Sequence, residues 1–367
     1  MRSVINRRRL LTTFREMAET YAPSRRERPL AAYVKKRLKG VRPVKEDDTG
    51  GRIGGDAGNL FVRIPGEGDA VVLAAHLDAV EPCAGVRIQR RGGYLYSRGD
   101  TVLSADDRAA AAVLLELALA ADRFPARRPF TILFTVAEEV GLRGASHVNV
   151  AALGARAAFV LDASEPPGHL VVAAPASQQF RATFYGRAAH AGIEPEKGVN
   201  AIAMAAAAIS RMRLGRIDAR TTANVGLITG GRATNIVPDR VVVEGETRSH
   251  RPAKLIAHRV HITERLVAAA AAFGGRVEVA WEDSYAGYRI AANAWPVALF
   301  RRAARKAGLR VKLVAGGGGS DANVFNARGC PAVVVGCGME KPHSTEERIA
   351  VRALYELADL ATALVTA

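Results

Sequence analysis

The sequence predicts an α/β fold with a smaller α+β domain inserted into it, and three observations carry that expectation. Apolar runs of strand length recur between helix-like stretches, at Val71 to Val80 (V-V-L-A-A-H-L-D-A-V), Phe130 to Val136, Phe159 to Leu161 and Ala332 to Val335. Such runs suit strands covered on both faces of a parallel sheet. The first three end in His76 and Asp78, in Glu138 and Glu139, and in Asp162, at the strand ends where open α/β sheets place their ligands. From about Ala173 to Ile290 the pattern changes to strand, helix, strand, strand, helix, strand, the ferredoxin-like order. The expected domains are therefore residues 1–172 with 291–367, and an insertion over 173–290.

The elements follow in order. Arg8 to Lys39 holds two helical patterns, Leu10, Leu11, Phe14, Met17 and then Leu30, Tyr33, Val34, Leu38, broken at Ala22-Pro23-Ser24. Glu46 to Asn59 is Asp- and Gly-rich and reads as an irregular loop before a strand at Leu60 to Ile64. Arg87 to Ser97 reads as a hairpin turning at Gly92-Gly93, and Ala109 to Ala121 as a helix preceded by S-A-D-D-R. Acids at a helix start are favoured by its free amides and dipole, so Asp106 and Asp107 taken alone would be capping residues. In the insertion, strands are expected at Gln179 to Gly186, Ala223 to Thr229, Arg240 to Thr247 and Arg276 to Glu282, with helices at Gly198 to Met212 and Pro252 to Phe273. A helix at Trp295 to Ala307, a strand at Val311 to Val314, a G-G-G-G-S-D-A-N loop and a last helix from Arg348 complete the chain.

With 367 residues, both domains can bury a sizeable core. Three scattered cysteines, Cys83, Cys330 and Cys337, suit neither a disulfide framework nor a zinc ribbon and fit a reducing cytoplasm. The opening residues lack a signal-peptide apolar core, and no apolar run reaches the roughly 18 residues of a spanning helix. A protein that is neither exported nor membrane-bound is expected. The formal charge of +16 comes from scattered, mostly Arg side chains with no aromatic-interleaved patch, which disfavours a nucleic-acid partner. His147, His169, His250, His258 and His261 fall in no ligand-spaced motif and read as structural or solvated residues.

Collected, the strand-end groups His76, Asp78, Asp106, Glu138, Glu139 and Asp162, with His343 in G-M-E-K-P-H-S-T-E-E, could hold two divalent ions with one carboxylate bridging. Imidazole and carboxylate donors suit zinc or manganese. Such a pair would bind a water, lower its pKa and polarise a scissile carbonyl, while an adjacent Glu acts as base.

These motifs, running through nearly the whole chain, resemble the di-zinc exopeptidase family of peptidase T, carboxypeptidase G and the aminoacylases, most of all its peptidase T-like branch. The resemblance implies a zinc-exopeptidase-like mixed sheet flanked by helices, with an inserted ferredoxin-like α+β lid domain. It implies metal ligands His76, Asp106 (bridging), Glu139, Asp162 and His343, the general base Glu138, and Asp78 as a catalytic residue tuning the ligand set beneath the His76 imidazole. The ions implied are two zincs, with manganese or cobalt as substitutes. G-R-A-A-H-A-G at Gly186 to Gly192 resembles the segment whose histidine, here His190, reaches the substrate. A-T-N-I-V-P-D at Ala233 to Asp239 and G-G-S-D-A-N at Gly318 to Asn323 resemble substrate-side loops, implicating Asn235 and Asn323, and Arg248 could clamp a carboxylate. Arg108 stands where the family usually has lysine, and Ala163-Ser164 follow Asp162 in place of a Gly-containing turn.

The function implied is a cytoplasmic metallopeptidase of tripeptidase or aminopeptidase type acting on small peptides, with a homodimer through the lid. An N-acyl amino acid amidohydrolase or carboxypeptidase is the alternative, and a non-catalytic binding protein the second.

Overall fold

The computed structural model describes residues 4–124 and 126–367. The chain divides into two compact units, one of Met1–Ala173, Arg289–Gly316 and Ser320–Ala367, the other of Ala174–Tyr288 with Gly317–Gly319.

The first unit is built on a mixed sheet. Its buried centre is the strand Val71–His76, parallel to Phe130–Thr135 on one side and to Ala157–Ala163 on the other, and Ala157–Ala163 is in turn parallel to Ala332–Gly336. All six residues of Val71–His76 and all six of Phe130–Thr135 are buried, as the continuous apolar runs require. Parallel pairing has one consequence for function: the carboxyl ends of these strands lie along one edge, so the residues that follow them are neighbours in space. Antiparallel strands flank this centre, Leu60–Ile64 beside Phe130–Thr135 and His169–Ala174 beside Ala332–Gly336.

The helix Ala105–Ala120 is apolar nearly all round, and its residues Ala109 to Leu115 are all buried; a helix with no polar face belongs inside. At its start the fully buried Arg108 sends Nη1 to the carbonyls of Met17, Ala18 and Thr20, Nη2 to Ala22 and Nε to Leu77, at 2.7–3.4 Å. Burial lowers the guanidinium pKa to about 10. This cation is thus met by carbonyl dipoles, which tie the end of the helix Arg7–Ala18 to the strand that carries His76.

The second unit is a five-stranded antiparallel sheet in the order Gly215–Asp218, Thr221–Gly230, Arg240–Ser249, Ala176–Tyr185, Arg276–Tyr285. Phe180, Ala182 and Phe184 repeat every second residue on one strand face and join a core with Met204 of the helix Ala201–Ile209 and Ile262 and Leu266 of the helix Pro252–Ala272. Gly215–Asp218 is an edge strand added to the ferredoxin-like order.

Some local expectations are corrected. The Glu46 to Asn59 loop contains a helix, Thr49–Ile53, too short to show helical periodicity and closed by Gly54 at φ 68°. Helix Asp321–Ala327 begins inside the expected G-G-G-G-S-D-A-N loop, on a Ser320 cap. The last helix starts at Val351, because Arg348–Ala350 pairs as a strand with Tyr94–Ser97, a long-range pairing that local pattern does not reveal. Among the described residues no helix is long and apolar enough to cross a membrane.

Replacing Arg108 by Met keeps the volume but strands buried carbonyls, each worth about 1–3 kcal/mol when unpaired. Urea denaturation of Arg108→Met should show a loss of about 3 kcal/mol or more; a change under about 1 kcal/mol would contradict the tether.

Candidate metal centre

The edge formed by the parallel strands collects His76, Asp78, Asp106, Glu138, Glu139, Asp162 and, from the segment before the last helix, His343. Two groups of donors have their ligand atoms within 4.8 Å of one another: His76, Asp106 and Asp162, and Asp106, Glu139 and His343. Asp106 belongs to both. Its Oδ1 lies 3.2 Å from His76 Nε2 and its Oδ2 3.3 Å from His343 Nε2. Asp162 Oδ1 is 3.7 Å from His76 Nε2, and Glu139 Oε1 is 3.0 Å from His343 Nε2.

Asp78 stands behind this front row. His76 Nδ1 lies 3.1 Å from the Asp78 carbonyl oxygen and 3.4 Å from its carboxylate. A proton on Nδ1 is favoured there, which makes Nε2 the ring nitrogen that faces Asp106 and Asp162. The Asp78 carboxylate also accepts the backbone N–H of Glu138 on Oδ1 (3.0 Å), and on Oδ2 that of Glu139 (3.1 Å) and the Ser24 hydroxyl (2.6 Å).

Other buried side chains hold the ligand-bearing backbone. Glu347 accepts from the N–H of Ser104 on Oε2 (2.8 Å) and of Asp106 on Oε1 (2.9 Å), fixing the turn where Ser104 is left-handed at φ 61°. Asp107 Oδ2 accepts the His76 N–H at 3.2 Å. Asp106 and Asp107 have non-helical φ/ψ, so neither is the simple helix cap that their position suggests. Asp321 takes the Thr135 hydroxyl at 2.6 Å.

The electrostatics are those of a negative cluster. Burial first, and Asp162 next, push the Glu138 carboxyl well above its usual range. Burial and then Asp106 do the same to Asp162. Burial raises Asp106 too, but its bonds from His343 and His76 outweigh that and hold it below the ordinary carboxylate value. Asp107 Oδ1 and Asp321 Oδ1 are buried without a hydrogen-bond partner. Imidazole nitrogens among crowded carboxylate oxygens, some of them orphaned, are a donor set that fits divalent zinc, manganese or cobalt.

The remaining sequence candidates are not members of those two donor groups. His190 and Asn235 are exposed in the second unit, on segments that bond through Ala191 N–H to Asn235 O and Val237 N–H to Ala189 O, both 3.0 Å. His190 Nδ1 accepts from Gly192 N–H at 3.2 Å. Arg248 places Nε and Nη2 on the two Glu246 oxygens, at 2.8 Å each. Asn323 lies in the first unit, 1% exposed, its Oδ1 accepting from Ser320 N–H in a capping box. Sequence reasoning missed Ser24, Glu27, Asn59 and Glu347; Glu347 stood in the quoted H-S-T-E-E motif, while the others carry no local signal.

Residues 72–367 match the model of peptidase family M20/M25/M40. The chain belongs to that family. A peptidase T-like member of it is supported by two solved structures: a tripeptidase from Staphylococcus aureus, 37% identical over 99% of this chain and 98% of that one with a TM-score of 0.91, and the aminopeptidase PepT from Bacillus cereus, 36% identical over 99% of both with a TM-score of 0.85. An acetylornithine deacetylase from Myxococcus xanthus is 30% identical over 307 residues, 78% of this chain and 76% of its own. Membership of M20/M25/M40 makes the chain a hydrolase by class.

Burial raises Glu347 from 4.5 to about 7 and Asp321 from 3.8 to about 6, and bonds to Asp106 and Glu139 raise His343 from 6.5 to about 10. All three bind protons more tightly folded than unfolded, so the acids lose stability as pH climbs from the usual carboxylate range toward 7 and His343 as it climbs further. Asp106 has the opposite sign but loses its contribution only as pH falls below that range. In chelator, the melting temperature should therefore fall from about pH 5.5 to about pH 8, with added zinc restoring it; a rise over that window would contradict these shifts.

Proposed function

We propose that the chain is a two-metal hydrolase that cleaves a peptide bond of small peptides, of tripeptidase or aminopeptidase type, with Glu138 as general base. The observation that supports this most directly is the single Asp106 carboxylate with one oxygen toward each ligand group. In this reading His76, Asp106 and Asp162 hold one divalent ion, and Asp106, Glu139 and His343 the other, zinc in the first place. When bound, the pair would acidify a water and polarise the scissile carbonyl.

The protein side chains divide the rest of the work. Glu138, buried and with a raised proton affinity, takes the proton from the attacking water and delivers it to the leaving amine. Asp78 fixes the His76 tautomer. His190, whose Nδ1 accepts from Gly192 N–H, is a substrate-binding residue in this reading. Asn235 supplies a carboxamide to the substrate backbone. Arg248 would take a substrate carboxylate by exchanging it for Glu246. Asn323, whose Oδ1 accepts from Ser320 N–H, is a further substrate-side residue in this reading. The cytoplasm, and a homodimer through the exposed Ile256, Val260 and Val267 face of Pro252–Ala272, complete the reading.

The two full-length relatives named for aminopeptidase and tripeptidase activity favour a peptide. The deacetylase relative favours the second reading, an N-acyl amino acid amidohydrolase. Assaying zinc-loaded protein against di- and tripeptides, N-acetyl and N-carbamoyl amino acids separates them: preferred cleavage of tripeptides supports the first, preferred cleavage of N-acyl amino acids the second.

Elemental analysis should find about two transition metals per chain after zinc reconstitution; fewer than about one defeats the two-metal reading. Glu138→Gln should keep that content and lose about 100- to 10,000-fold in turnover.

A further inference from the structure

The turn that carries Glu138 has four consecutive backbone amides, and each is taken by a side chain from far along the chain. Val136 N–H goes to Asn59 Oδ1 (3.2 Å), Ala137 N–H to Glu27 Oε1 (2.9 Å), and those of Glu138 and Glu139 to the Asp78 oxygens. The turn closes on itself through Gly144 N–H to Val136 O (2.9 Å) and Leu142 N–H to Glu138 O (2.8 Å). Ala137 is left-handed at φ 51°, a conformation that a non-glycine residue keeps only when its surroundings insist.

Glu27 is the member of this cradle that its own neighbourhood does not explain. It stands at the N-cap of the helix Arg28–Leu38, yet its side chain makes no cap bond to that helix. A capping carboxylate would face the amides two or three residues ahead. Instead Oε1 accepts from Arg25 N–H (2.8 Å) and from Ala137 N–H, and the residue is 0% exposed. Asn59 is similarly braced, its Nδ2 bonded to Asp47, Thr49 Oγ1 and Gly144 O at 2.9–3.1 Å.

We infer that Glu27 is a positioning residue of the reaction, holding Ala137 so that the Glu138 carboxylate meets the attacking water. This rests on the reading of Glu138 as base. Displacement of a base by about 1 Å can cost about 100-fold in rate, so the loss should fall on kcat rather than on substrate binding. An acceptor oxygen is what the site requires, with or without charge.

The test compares two residues of similar volume. Glu27→Gln keeps the acceptor; Glu27→Met removes it. With trialanine as substrate and zinc loaded, Glu27→Met should lower kcat about 10- to 100-fold with KM within about threefold, and Glu27→Gln should stay within about threefold of wild type. Backbone hydrogen exchange over residues 136–144, which needs neither substrate nor metal, should be at least about tenfold faster in Glu27→Met only. Should Glu27→Met not fold, Glu27→Asp, which shortens the reach to Ala137, must show the same kcat loss and faster exchange. Equal kcat and exchange in the acceptor-keeping and acceptor-lacking variants overturns the inference. An active Glu138→Gln instead defeats the base reading, while faster exchange in Glu27→Met still reports the anchor. If wild type leaves trialanine intact, exchange alone decides, and unchanged exchange overturns it.

Discussion

One buried carboxylate sets the geometry of the whole centre. The Asp78 oxygens accept from Ser24, Glu138 and Glu139 while the His76 Nδ1 lies against the same residue. An anion shut away from water is stable only when donors surround it, and here the donors are the groups that must be placed. Burial raises the Asp78 pKa, but bonding and charge from His76, with Ser24 and the Glu138 amide, bring it below the ordinary value. The ionised form is thus the one the fold selects, and it orients an imidazole and two glutamates at once.

Around that anchor the like charges of Asp106, Asp107, Glu138, Asp162 and Asp321 crowd together, Asp107, Glu138 and Asp321 buried and Asp106 and Asp162 half-buried. Burial first, and then neighbouring carboxylates, raise the proton affinities of Glu138, Asp107 and Asp162, and the His76 imidazole offsets this only in part. A fold tolerates this frustration when the backbone is held by other means. The means here are side-chain acceptors on amides, Glu347 for Ser104 and Asp106, and Glu27 and Asn59 for the turn after Phe130–Thr135.

The central strands and the acids that follow them were legible because burial on both faces writes itself as an apolar run, and parallel pairing then brings the run ends together. The ferredoxin-like order was legible from the alternation of helical and strand periods. What stayed hidden depends on contacts across long sequence separations. The strand Arg348–Ala350 exists because Tyr94–Ser97 pairs with it, and the strand His169–Ala174 because Ala332–Gly336 and Lys312–Ala315 flank it. Ser24, Glu27 and Asn59 sit in segments that read as a helix break, a helix start and a loop; nothing local says that their side chains serve residues 50 to 110 positions away. Asp106 and Asp107 taken alone read as caps, and only the motifs taken together set Asp106 beside His76 and His343, whose imidazoles the fold places opposite it.

Arg108 bears on what could count as a minimal version of this protein. Four of its five carbonyl acceptors lie between Met17 and Ala22, in a stretch that holds none of the donors grouped around Asp106. A fragment beginning at the Val71–His76 strand would contain every one of those donors and still leave a buried cation without most of its acceptors, and Asp78 without its serine. Autonomy of this unit therefore begins at the amino-terminal helix, and that helix is as much a part of the centre as the strand to which Arg108 ties it.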